Sequence, residues 1–106
     1  MILLILVTSF VSSALAAAEE VMLYTHRHYE ADDALFAEFT KKTGIQVNVV
    51  KSGADQLMER LKQEGDRTPA DLLMTADAGR LHRAKSMDLL QPVTSENLRA
   101  SIPEAL

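Results

Sequence analysis

Cysteine and tryptophan are both absent from the 106 residues. Without thiols there is no disulfide framework, no Cys-held zinc or iron–sulfur cluster, and no cysteine nucleophile. Aromatic residues make up only 5% of the chain, so a core has to be built from Leu, Val, Ala, Met and three Phe. No internal repeat, low-complexity tract or linker interrupts it, and neither a Gly-x-Ser-x-Gly elbow nor a P-loop occurs. Positive charge is in deficit: eleven Lys and Arg against fifteen Asp and Glu give a formal charge of -4. A nucleic-acid binder should instead show a basic face or stripe. What is present is a hydrophobic content of 47%, which excludes wholesale disorder. The length fits one small domain or a piece of a larger one, with a thin core.

Charge of either sign is missing before Ala18. Met1–Ala18 (MILLILVTSFVSSALAAA) is an apolar run that fades into small residues. Ala14-Leu15-Ala16 and Ala16-Ala17-Ala18 fit the small-x-small cleavage pattern, and Glu19-Glu20 follow at once. The strongly apolar part ends near Val11, short of the ~20 residues that span a bilayer. With no Lys or Arg ahead of it, either the amino group of Met1 supplies some positive charge or the true start lies upstream. Residues 1–18 are therefore expected to be a signal peptide and 19–106 the mature chain. The alternatives are a buried amino-terminal strand or an uncleaved anchor.

Downstream, strand and helix patterns alternate. Val21–Thr25 reads as a buried strand. From Ala31 the pattern is helical, with Ala31, Leu35 and Phe39 on one face at four-residue spacing and Ala34 and Phe36 beside them. Glu30, Asp32 and Asp33 in the first turn, Lys41 and Lys42 in the last, suit the helix dipole, and Gly44 suits the C′ position. Ile45–Val50 alternates and is β-branched, a second strand. Asp55–Glu64 is a second helix with Leu57, Met58 and Leu61 on its apolar side. Leu72–Thr75 is a third strand. Asp77 is placed to cap a third helix, Ala78–Lys85, whose Leu81 and Ala84 face inward. Leu89–Val93 is extended, because Pro92 disfavours a helical Gln91, and Ser95–Ala100 suits a short final helix. The expected fold is α/β, a partial doubly wound parallel sheet in βαβαβα order. In such sheets ligands sit beyond the carboxyl ends of the strands, here the loops His26–Glu30, Lys51–Ala54 and Ala76–Gly79.

The loop after the first strand holds the main candidates. His26 and His28 alternate and would point the same way on an extended backbone, a weak zinc signal by spacing alone. Tyr29 stands where strand becomes helix. Its phenol would ionise against a hard, highly charged cation, since metal binding and ligand deprotonation are coupled. The plain alternative is a ring packed on the sheet edge. Ser52-Gly53 could cradle a carboxylate or phosphate but is also an ordinary turn. Asp77 is most simply a helix cap, and His82, beside Arg83, a solvated residue. Asp71 and Asp77 are a poor acid/base pair without a third partner.

Tyr24–Tyr29 (YTHRHY) resembles the strand-end signature of the periplasmic ferric-iron-binding proteins of ABC transporters, class II-type solute-binding proteins. The resemblance continues through Phe39–Val47, Gly53–Gly65, Pro69–Leu81 and Leu89–Val93, and covers Val21 to Leu106. It implies a two-lobed, non-enzymatic, monomeric periplasmic protein that closes over Fe3+ and delivers it to an inner-membrane permease. In that family the tyrosine matching Tyr29 is a phenolate ligand, and the histidine matching His28 ligates in some members. Arg27 would then lie near the metal, available to a synergistic anion, while His26 replaces an expected small residue. Family members are several times longer and use further tyrosines from later in the chain, whereas Tyr24 and Tyr29 are the only two here. The sequence thus looks like the first part of the N-terminal lobe, a fragment or truncated product. Two candidate ligands do not close a ferric coordination sphere, so this chain alone is expected to bind iron weakly or not at all. Two other functions compete: a solute-binding lobe gripping another small anion at Ser52-Gly53 and Asp77, and a small metal-dependent hydrolase using His26 and His28.

Overall fold

A computed structural model describes residues 18–104. The expected signal peptide, apart from Ala18, lies outside the described residues. From Ala18 onward the order is β1 (Glu20–Thr25), α1 (Glu30–Thr43), β2 (Gln46–Lys51), α2 (Ala54–Glu64) with a 3-10 turn at Gly65–Arg67, β3 (Leu72–Met74), α3 (Ala78–Ser86) and α4 (Glu96–Ser101). The predicted elements are all present, with boundaries differing by a residue or so, the usual fraying of element ends.

Local chemistry ends the helices where the sequence placed their caps. Gly44 takes a left-handed φ of 76° and donates its N–H to the Thr40 carbonyl at 2.8 Å, closing α1. Asp77 caps α3, its Oδ1 accepting from the Arg80 N–H at 2.8 Å. Ser95 does the same for α4 through the Leu98 N–H.

The three strands are parallel and ordered β2-β1-β3, so β1 is central. In register, Leu23 lies beside Val49 and Leu72, and Tyr24 beside Val50 and Leu73. Asp71 extends the β1–β3 ladder with its own side chain: its Oδ2 accepts from Met22 N–H at 2.8 Å while its N–H donates to the Met22 carbonyl. Side chains alternate across a strand, so the two faces of β1 are distinct. On one face Tyr24 meets Leu57 and Leu61 of α2, with Met22, Val50, Leu73 and Leu89 around them. On the other, Val47 and Val49 border a groove with Phe36, Ala37 and Thr40 of α1. Helices therefore lie on both faces, the arrangement of a doubly wound sheet. The expected α/β class is correct.

The helix α1 departs from its predicted orientation. Leu35 and Phe39, the expected apolar stripe, are 60% and 42% exposed, whereas Asp32 is 8% exposed. The row Asp32–Phe36–Thr40 faces inward instead. An ion pair accompanies this orientation. Arg27 Nε and a terminal guanidinium nitrogen donate to the two Asp32 carboxylate oxygens, both at 3.0 Å. Two-point pairing satisfies a carboxylate that would be costly to bury alone. Leu81 of α3 was also expected inward; it is exposed, and Ala84 alone of that pair is buried.

Tyr24 is fully buried and its hydroxyl donates to Glu64 at 3.0 and 3.1 Å. Glu64 also accepts from Thr68 Oγ1 at 2.6 Å and Arg60 Nε at 2.7 Å, and the Arg60 guanidinium lies 4.8 Å over the Tyr24 ring. Hydrogen bonds from Thr68, then Arg60, hold the Glu64 carboxyl below its ordinary value of 4.5. Burial, then the neighbouring carboxylate, pushes the Tyr24 phenol above 10.0.

Linkage then fixes the pH profile. Below pH 4.5 the unfolded chain binds more protons than the folded one, so stability falls as acid protonates Glu64. Above pH 10.0 the unfolded chain loses its Tyr24 proton first, so stability falls again as pH rises. Thermal unfolding across pH should show both limbs, with Glu64→Gln flattening the acid one and Tyr24→Phe the alkaline one. In the core, Leu57→Ala should cost about 2–5 kcal/mol in urea denaturation, from lost transfer energy plus a cavity. A loss well under 1 kcal/mol would mean α2 is not packed on β1 as described.

Candidate metal-binding edge of the sheet

The chain leaves β1 toward β2 and later enters β3 on the opposite side of β1. The switch point of the sheet is therefore the gap between the carboxyl ends of β1 and β3. An open cleft of about 740 Å3 lies there, lined by His26, His28, Gln56, Asp77, Arg80 and Arg83 among others. A second concavity, of about 720 Å3 along Val93–Glu104, lies off this edge and holds none of the candidate donors.

The predicted residues take different places around this edge. His28 lines the cleft and is exposed. Tyr29 is the residue at the N-cap of α1, with extended φ and ψ of -95° and 132° and no side-chain cap hydrogen bond. It is 57% exposed, not packed on the sheet edge, and lies outside the cleft lining. The Arg27 guanidinium sits 5.0 Å from its ring centroid. Tyr24, by contrast, is locked into the α2 side of the sheet.

His26 crosses the switch point. Its Nε2 accepts from the Ala76 N–H at 3.4 Å, and its backbone N–H reaches the Met74 carbonyl. Its Nδ1 is buried without a hydrogen-bond partner. His26 and His28 are thus not paired for a metal. Among the described residues no group of three or more His, Asp or Glu is arranged to hold one. The geometry gives the hydrolase alternative no support.

The anion alternatives are also weakened. Ser52 Oγ donates to Gln56 Oε1 at 2.7 Å, and Gly53 N–H reaches the same oxygen at 3.3 Å, so the Gln56 side chain fills that turn. Asp77 is engaged by the Arg80 N–H and guanidinium, which hold its carboxyl below the ordinary value of 3.8. Arg83 pairs with Asp55 at 2.7 Å, and Arg27 is committed to Asp32. Sequence reasoning missed Asp32, Asp55 and Arg80. Nothing in the spacing marks an Asp five residues after Arg27 as its partner.

Residues 25–104 match the bacterial extracellular solute-binding protein family. The chain belongs to that family. Iron uptake protein A1 of Synechocystis is 49% identical over 88 residues, 83% of this chain and 24% of that protein. A Trichodesmium protein solved in complex with iron and citrate superposes with a TM-score of 0.72 at 49% identity, over 76% of this chain and 26% of its own. The ferric binding protein of Campylobacter jejuni gives 0.76 at 43% identity, over 79% and 27%. The resemblance to ferric-iron-binding proteins is therefore correct. As a member of the family, the chain spans about a quarter of the length of these relatives. The family and these relatives are named for solute binding and iron uptake, not for catalysis.

Gln56→Ala should free the Ser52 hydroxyl and Gly53 N–H at the start of this solute-binding protein's α2. Two hydrogen bonds lost on an exposed turn should cost about 1 kcal/mol in chemical denaturation. An unchanged midpoint would show that Gln56 does not order the turn.

Proposed function

We propose that residues 19–106 form the first part of the N-terminal lobe of the substrate-binding component of a ferric-iron ABC transporter. It captures Fe3+ in the periplasm, after export by a signal peptide at 1–18, for an inner-membrane permease. Tyr29 and His28 are the donors this segment contributes. A phenolate is a hard oxygen donor suited to a trivalent cation, and imidazole also suits iron. The observation that carries the proposal is the position of Tyr29. It leaves the central strand at the switch-point end, exposed, in a segment 49% identical to a protein solved with iron and citrate. The phenol proton must leave when the metal binds, so capture strengthens as pH rises. Donors beyond Tyr29 and His28 come from elsewhere, and a small carboxylate such as citrate is a fitting synergistic anion.

Nitrilotriacetate occupies most of a ferric ion's coordination sphere and leaves the rest open. It can therefore stand in for the donors this segment lacks. Ferric nitrilotriacetate added to the chain should give a visible phenolate-to-iron charge-transfer band, whereas ferric ion without a chelator binds weakly. The band should vanish in Tyr29→Phe and weaken several-fold in His28→Ala. A band that survives Tyr29→Phe, or none at all with the wild-type chain, would overturn the assignment of Tyr29.

A further inference from the structure

Asp32 occupies an inward position on α1 that the helical pattern would fill with an apolar residue, and it is spent entirely on Arg27. Both carboxylate oxygens are 3.0 Å from Arg27 nitrogens, and Arg27 in turn lies 5.0 Å over the Tyr29 ring. Tyr29 has no capping hydrogen bond, and its ring is more than half exposed. Without the guanidinium above it, such a side chain would sample several staggered rotamers.

We infer that Asp32 is a positioning residue for the Tyr29 phenol, acting through Arg27, and that it also cancels the charge of Arg27 beside the place where a trivalent cation is held. This rests on the assignment of Tyr29 as a metal donor. The two roles follow from one geometry. Two-point pairing fixes the plane of the guanidinium, and the guanidinium plane fixes the ring by cation–π contact. A bare guanidinium stacked on the phenol would repel a trivalent ion held by it, whereas the Arg27–Asp32 pair is neutral. The pair therefore supplies stacking without the penalty of a nearby positive charge. The pair engages the Arg27 Nε and one terminal nitrogen and leaves the other terminal nitrogen for a synergistic anion.

The positioning half is read on the metal-free chain. Ring-current shifts should move the Arg27 side-chain proton resonances upfield in the NMR spectrum. Asp32→Asn should return them to unstructured values while the backbone amides stay dispersed, and Asp32→Glu should restore part of the shift. Retention of the full shift in Asp32→Asn would overturn the positioning role. The charge half is read with terbium(III), a hard trivalent ion whose luminescence is sensitised by tyrosine. Asp32→Asn leaves Arg27 uncompensated and should weaken terbium binding about tenfold at low ionic strength, from a unit charge opposing a trivalent ion. The double variant Arg27→Met/Asp32→Asn is again neutral, buries no lone charge, and should recover most of that affinity. A double variant as weak as Asp32→Asn, with a loss that raising the ionic strength does not relieve, would mean that the guanidinium charge is not what weakens binding, and would overturn the charge role. Should Asp32→Asn fail to fold, Asp32→Glu and the double variant carry the test: Asp32→Glu should reduce the Arg27 upfield shift and the double variant should bind terbium within about threefold of the wild-type chain, whereas an undiminished shift would overturn the positioning role and a double variant about tenfold weaker the charge role. The ferric nitrilotriacetate band tests Tyr29 as a ligand independently, so either idea can fail without the other.

Discussion

The pairing of Arg27 with Asp32 governs how this small α/β unit presents its functional edge. Arg27 lies two residues past the end of the central strand and Asp32 lies in the first turn of the first helix, so the ion pair ties the strand-to-helix loop to the helix. Rotating α1 to bury Leu35 and Phe39 would pull Asp32 from Arg27 and leave the guanidinium without its anchor. In the observed orientation the row Asp32–Phe36–Thr40 faces the sheet and two large apolar residues are left in water. Exposing them forgoes apolar burial worth about 1.5–3 kcal/mol for each side chain fully covered. Covering by further parts of a longer relative would recover that burial without changing the rotation.

Opposite faces of the central strand serve different ends. Tyr24, pointing to α2, is consumed by the Glu64–Thr68–Arg60 network and the Leu57–Leu61 core, which hold the helix on the sheet. Tyr29, five residues later, has left the strand and is open to solvent. The same side-chain type is thus a structural hydrogen-bond donor in one place and a free phenol in the other. Burial and neighbours separate them, as they separate the Glu64 carboxyl, held low by its donors, from an ordinary surface acid.

The cleft between β1 and β3 is rich in charge yet internally balanced. Arg80 is matched by Asp77 and Arg83 by Asp55, and beside the cleft Arg27 is matched by Asp32. A site with its charges already paired neither attracts an anion strongly on its own nor repels a cation. Under the proposed function, such balance suits an edge that supplies only some of the donors around a highly charged ion, with other parts of a longer protein supplying the rest. Relatives four times the length of the matched segment are consistent with that division.

Much was legible in the residues alone. The alternation of β-branched runs with helical periods, the glycine at 44 and the cap at Asp77 all act within one element, where local sterics and hydrogen bonding decide. For that reason the element order, the parallel class and the loop holding Tyr29 and His28 followed from sequence. The rotation of α1, the commitment of Arg27 and of the Ser52-Gly53 turn, and the crossing of His26 to Ala76 did not. Each depends on a partner whose position is set only when the sheet assembles: a helix period marks a stripe, but an ion pair across the loop chooses which stripe faces in. Composition and local pattern thus determined which groups this chain has to offer, and the packed sheet decided which of them are left free to use.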